Sequence, residues 1–245
     1  MRIPKPRRLL VVAAIGLLCA CSGSPDRTTL NVFAAASLSN AFTDIETVFE
    51  VEHPDVDVVL NLAPSSALAT QISEGAPAHV FASADEANMN RVADLMVDSA
   101  TIFATNRLQI VTEAGNPLGI ETLADLADPS ILFVTSAVEV PIGRYTAEVL
   151  TRAELTVRPV SLEESVKGIV TKVSTGEADA GIVYATDAAA AHPRVTSVNI
   201  ADEFNVIARY PIAALSTSDA ATRFVTFIRS DEGQAILREF GFGSP

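Results

Sequence analysis

The stretch Leu30-Asn31-Val32-Phe33-Ala34-Ala35-Ala36-Ser37-Leu38 decides how this chain is read. Its first four residues, apolar but for Asn31, read as a short buried strand. From Leu38 onward the apolar residues Ala41, Phe42, Ile45, Val48 and Phe49 recur every three or four positions, which predicts a helix with one buried face. Three alanines and a serine lie between, too small to keep a ligand from the backbone. A strand handing over to a helix is the elementary unit of α/β folds.

The unit recurs. Val56–Leu60 reads as a strand, followed by Ala63-Pro64-Ser65-Ser66-Ala67-Leu68 and a short helix through Leu68 and Ile72 that Gly75-Ala76-Pro77 ends. Val80-Phe81 reads as a third strand, with Ser83 or Asp85 capping a helix that carries Met89, Val92, Ala93 and Met96. Leu108–Val111 leads to the turn signal Gly115-Asn116-Pro117. A second series follows: strand Ile131–Val134, a helix after Gly143, strand Val157–Val160, and a helix with Val166, Ile169, Val170 and Val173. Strands Ala180–Tyr184 and Phe204–Tyr210 precede a helical end. Such alternation predicts largely parallel sheets covered by helices. About 220 residues suit two lobes of about 100 each better than one layer system. The expected division is residues 29–107 with 210–245 in the first lobe and 108–209 in the second. The turn near 115 and the strand near 205–210 are the expected crossovers.

Composition narrows the function. Of 245 residues, 49% are hydrophobic and 19% charged, which suits a folded core and excludes a disordered chain. The net charge of −13 repels polyanions and argues against nucleic acid. Arg2, Lys5, Arg7 and Arg8 precede an uninterrupted apolar run from Leu9 to Ala20, the pattern of a secretory signal over residues 1–20. A bilayer-spanning helix needs about 20 apolar residues, so a permanent anchor of that kind is the weaker reading. Leu18-Cys19-Ala20-Cys21-Ser22 resembles a bacterial lipobox, which implies cleavage before Cys21 and lipid attached to its sulfur, although an ordinary secretory signal would serve export as well. Removing four positive charges leaves 13 Lys+Arg against 30 Asp+Glu, a net −17. Residues 21–28 then form a tether, and the expected location is the outer face of a cell membrane.

Catalytic signatures are missing. The chain contains no HExxH, Walker-A loop, GxSxG or CxxC, and His53, His79 and His192 are far apart. No enzyme activity, cofactor or free metal cation is expected. Four strand-to-helix junctions stand out instead: Ala34–Leu38, Ala63–Leu68, Val140–Tyr145 and Ser165–Lys167. Free N–H groups at helix starts attract anions. Each serine alone is explained as well by simple helix capping, worth about 1 kcal/mol. Ligands of open α/β sheets collect at the carboxyl ends of strands, so convergence of several junctions would be the stronger sign.

These motifs, in order, are similar to those of periplasmic molybdate-binding proteins of ABC importers, over nearly the whole chain from Thr29. The resemblance rests on Val32–Leu38, on Pro64–Ala69 with Gln71-Ile72, and on Glu74–Phe81 with Ser83-Ala84-Asp85. It continues through Val140–Tyr145 and Gly181–Tyr184 with Asp187. It implies a type II periplasmic-binding-protein fold: two lobes, each a mostly parallel sheet covered by helices, with the ligand cleft between them. It also implies capture of molybdate, and of tungstate, by neutral donors. Carried over residue by residue, these are the hydroxyls of Ser37 and Ser65, the amides of Ile142 and Val166, and the hydroxyl of Tyr184. The implied partner is a membrane permease, and the protein is expected to act as a monomer. His79 replaces the usual Asp and is expected outside the anion's direct contacts; Ile142 is bulkier than usual. Arg144 and Lys167 would add local positive potential. The competing readings are a binder of sulfate, another oxyanion or a small organic anion; a hydrolase with Ser37 or Ser65 as nucleophile; and a structural lipoprotein.

Overall fold

The structure, a computed structural model, describes residues 27–245; the expected export signal and Cys21 lie outside the described residues. In chain order the elements are β1 (Thr28–Ala35), α1 (Ser39–Glu52), β2 (Val56–Ala63), α2 (Ser65–Ser73), β3 (Val80–Ala82), α3 (Glu86–Asn90), β4 (Thr101–Asn106), β5 (Leu108–Glu113), β6 (Phe133–Ser136), α4 (Pro141–Arg152), β7 (Ser161–Glu163), α5 (Val166–Ser174), β8 (Ala180–Tyr184), α6 (Ala185–Ala191), β9 (Val195–Asn199), β10 (Ala208–Ala214), α7 (Asp219–Ile228) and α8 (Asp231–Glu239).

They build two five-stranded sheets, ordered β2-β1-β3-β10-β4 and β7-β6-β8-β5-β9, flanked by helices in a two-lobed fold. In the first, β1 runs parallel to β2 and β3, and β10 runs antiparallel to β3 and β4. In the second, β6 runs parallel to β7 and β8, and β5 runs antiparallel to β8 and β9. Both sheets are therefore mixed, with four strands pointing one way and one reversed. The reversed strand is in each case the one by which the chain enters from the other sheet. Strands that end at the cleft hand the chain over there, so the receiving strand must start at the cleft and run away from it.

The handover from β4 to β5 takes the single residue Arg107, which leaves no room for a longer crossover. The expected crossover near residue 115 is displaced accordingly: Gly115 lies beyond β5, already within the second sheet. The strand expected over Phe204–Tyr210 begins only at Ala208. Phe204–Ile207 belongs to the return connection, where the Asn205 side chain accepts from the Leu108 amide (3.1 Å) and donates to the Leu108 carbonyl (3.0 Å). Val157–Val160 is not a strand: Pro159 has no amide for a ladder, and pairing with β6 starts at Ser161. The helix through Met89 stops at Asn90 and gives way to a 3-10 turn at Ala93–Leu95. Strands β4 and β9 were not expected from the sequence.

The first sheet is covered by an aromatic layer. Phe42 meets Phe103 and Phe224 edge-on at 6.0 and 6.2 Å, and Phe49 meets Phe224 at 5.1 Å. The second is covered by aliphatic side chains, among them Ile110, Val149, Ile169, Val173 and Ile182. One glycine there fixes the cleft. A Cβ at Gly143 would lie 2.1 Å from the Ala137 carbonyl oxygen and 2.4 Å from that of Ser136. Only glycine lets the start of α4 sit this close to the end of β6.

Candidate functional site

The five residues singled out from the sequence line one cavity. Ser37, Ser65, Ile142, Val166 and Tyr184 line a cavity of about 20 Å3, together with Ala35, Ala36, Pro64, Ala84, Val140, Pro141 and Ser165. That is room for one small body, not for a sugar or a peptide. No lining residue is charged. Each contributing segment directly follows a strand or opens a helix, so the cavity lies where both sheets present their carboxyl ends.

The serines differ in what their hydroxyls do. Ser165 caps α5, accepting from the Gly168 amide at 3.4 Å. Ser37 and Ser65 cap nothing. The Ser65 hydroxyl oxygen accepts from the Ala84 amide at 3.0 Å, which leaves its own hydrogen free. The Ser37 hydroxyl lies 3.1 Å from the Tyr210 hydroxyl. Tyr184 is fully buried and its hydroxyl has no hydrogen-bond partner among the described residues. Burial pushes that hydroxyl well above the ordinary tyrosine value, so it remains a donor.

The helix starts complete the pattern. The first amides of a helix have no acceptor within it. Pro141 has no N–H, so Ile142 presents the first amide of α4, and Val166 that of α5. Neither α1, α2, α4 nor α5 carries an acidic residue in its first turn, and α1, α2 and α4 have no side-chain cap. By contrast α3, α6, α7 and α8 each have Asp or Glu there. The starts of α3 and α6, which follow the lining residues Ala84 and Tyr184, carry Asp85 with Glu86 and Asp187, so acids are absent from four of the helix starts around this cavity. The partial positive charge of those starts stays unneutralised.

A family model described as bacterial extracellular solute-binding protein matches residues 30–243. The chain belongs to this family. Molybdate-binding protein ModA of Mycobacterium tuberculosis is 40% identical, covering 94% of both chains, and that of Escherichia coli is 33% identical, covering 96% of both. The periplasmic molybdate-binding protein of Azotobacter vinelandii has the same fold, with a TM-score of 0.76 at 21% identity over 88% of this chain and 99% of that one.

In this solute-binding protein the lobes meet around the cavity through few polar contacts. Tyr145 of α4 donates to the Ala84 carbonyl at 3.2 Å and accepts from the Arg209 amide at 3.3 Å. Asn88 donates to the Glu139 carbonyl at 3.3 Å. The Arg144 guanidinium lies 3.2 Å from the Asp85 carboxylate; within the second lobe, the Lys167 ammonium lies 3.1 Å from the carboxylate of Asp187. The positive potential expected from Arg144 and Lys167 is therefore largely cancelled by a buried partner each. Asp187 has little else: neither oxygen has a well-aligned hydrogen bond, and burial pushes its carboxyl up to about 6 against the pull of Lys167.

His79 lies outside the cavity. Its Nδ1 accepts from the Asn31 amide at 2.9 Å, tying the entrance of β3 to β1. Ile142 is buried in the core cluster while lining the cavity. Sequence reasoning missed Tyr145 and Tyr210. The chain has three tyrosines, and all three pack together, Tyr184 lying 6.3 Å from Tyr145 and 5.8 Å from Tyr210 between ring centroids. Their scarcity was the available signal.

Proposed function

We propose that this solute-binding protein captures molybdate, and tungstate, between its lobes and delivers it to the membrane permease of an ABC importer. The carrying observation is a small cavity with no charged lining residue, onto which the acid-free starts of α2, α4 and α5 open. It is supported by the ModA proteins of M. tuberculosis and E. coli at 40% and 33% identity. In this reading the anion accepts from the hydroxyls of Ser37, Ser65 and Tyr184 and from the amides of Ile142 and Val166. Hydrogen bonds to an ionised acceptor are about twice as strong as neutral ones and need no opposing charge. Surface carboxylates more than about 8–10 Å away are screened at physiological salt, so a net −17 does not exclude the ligand.

The lobes of this reading are residues 29–107 with 210–245 and residues 108–209, hinged where β4 passes to β5 and where the chain returns to β10. The protein binds rather than reacts. A serine nucleophile needs a positioned base, whereas Ser37 and Ser65 face Tyr210 and the Ala84 amide. No cofactor takes part, and one chain suffices. Cys21 carries the lipid that holds the exported protein at the outer face of the membrane. Calorimetric titration of the mature protein with molybdate, tungstate and sulfate tests the reading. Micromolar or tighter molybdate binding with weak sulfate binding is expected; equal affinity, or no response to molybdate, overturns it.

A further inference from the structure

We infer that Tyr210 is a positioning residue for the anion, its hydroxyl donating to Ser37 Oγ so that the hydrogen of Ser37 is left to point at the ligand; this rests on the molybdate reading above. The two hydroxyls are 3.1 Å apart and both buried. Either can donate across that distance, and the surroundings decide which does. Were Ser37 the donor, its hydrogen would be spent on the tyrosine and its lone pairs would face a dianion. With Tyr210 as donor, Ser37 matches Ser65, whose oxygen is likewise occupied from behind, by the Ala84 amide. Both first-lobe hydroxyls are then backed by a donor and present a hydrogen forward.

The tyrosine is built for that orientation. It stands where β10 slips its register against β4, at the irregularity between Tyr210 and Pro211. Such bulges re-aim side chains. The ring is held edge-on by Phe103 at 6.4 Å, Phe242 at 5.5 Å and Tyr184 at 5.8 Å, so the hydroxyl has little freedom to turn elsewhere. Burial keeps it protonated, well above the ordinary tyrosine value. Tyr210 itself does not line the cavity, which separates its role from that of Tyr184.

A double-mutant cycle on molybdate affinity separates positioning from plain packing. Ser37→Ala should weaken binding roughly ten- to hundredfold, and Tyr210→Phe roughly three- to thirtyfold. In the Ser37→Ala background, Tyr210→Phe should change affinity less than about twofold, because the hydroxyl it orients is gone. Thermal unfolding without ligand checks that each variant folds. Site-specific fluorotyrosine at position 210, a stronger donor of the same shape, should tighten binding and provides an arm that keeps the ring. An unchanged affinity in Tyr210→Phe, or an equal loss with and without Ser37, overturns the inference while leaving the site reading intact. Failure of the unmodified protein to bind molybdate, or normal binding by Ser37→Ala, overturns the site reading and this inference with it.

Discussion

The two lobes bring different chemistry to the same cavity. The first offers side chains, the hydroxyls of Ser37 and Ser65. The second offers mainly backbone, the opening amides of α4 and α5 at Ile142 and Val166, with the hydroxyls of Tyr184 and of Ser165, whose oxygen caps α5, as its side-chain donors. A hydroxyl is tuned by whatever donates to it from behind, and it is lost with one substitution. A backbone amide survives any side-chain change that leaves its helix in place. It is lost when the helix moves. In the proposed reading the first lobe is therefore vulnerable at its ligand contacts, and the second at the packing that seats its helices.

Substitutions can break or sharpen this contrast. The largest effect is expected from Gly143→Val, which forces α4 off two carbonyl oxygens and should cost about 4 kcal/mol or more of stability, read by urea unfolding. Asp187, beside Lys167 in the second lobe, comes next. Its folded value of about 6 lies above the usual carboxylate value of 3.8. Between those values the native protein holds a proton that the unfolded chain has released, so stability falls as pH rises through this window and levels off above it. Asp187→Asn should lack that fall, leaving a difference of up to roughly 3 kcal/mol between the two proteins' urea profiles by pH 7.

Ser37→Ala and Ser65→Ala should each weaken molybdate binding by about 1.5–3 kcal/mol in calorimetry. Both should also lose about 1–3 kcal/mol of stability, because Ser65→Ala leaves the Ala84 amide, and Ser37→Ala the Tyr210 hydroxyl, without its acceptor. Tyr184→Phe should weaken binding by a similar amount while leaving the ligand-free protein as stable as before, since the hydroxyl it removes has no partner there. The smallest binding effect belongs to Ile142→Ala and Val166→Ala. Each should cost about 1–4 kcal/mol of stability yet shift molybdate affinity by less than about 0.5 kcal/mol. A large affinity loss in either would mean that the second lobe also works through side chains.

The same contrast sets what was legible in the sequence. Ser37 and Ser65 were visible as serines at junctions where a strand hands over to a helix, although each alone read as well as a helix cap. Ile142 and Val166 were not visible by type, since an amide is common to almost every residue; their junctions stood out, and the family's motifs picked these two residues within them. The handover between sheets escaped because Arg107 is a single residue with no turn signature, whereas Gly115-Asn116-Pro117 has one and lies elsewhere. Pro159 within Val157–Val160 was a readable warning against a strand. The acid-free starts of α1, α2, α4 and α5 were also readable, but only once the helix boundaries were known. Tyr210 needed the register slip at Pro211, which local propensity does not foretell.

The central claim is that neutral groups from both lobes surround the anion. It is tested most directly by a crystal structure of the mature protein grown with molybdate, with molybdenum located by its anomalous scattering. The account predicts one peak in the cavity, with oxygens within hydrogen-bonding distance of Ser37 Oγ, Ser65 Oγ, Tyr184 Oη and the amides of Ile142 and Val166. A peak in the outer groove beside Arg91 and Arg144, with none in the cavity, would contradict it.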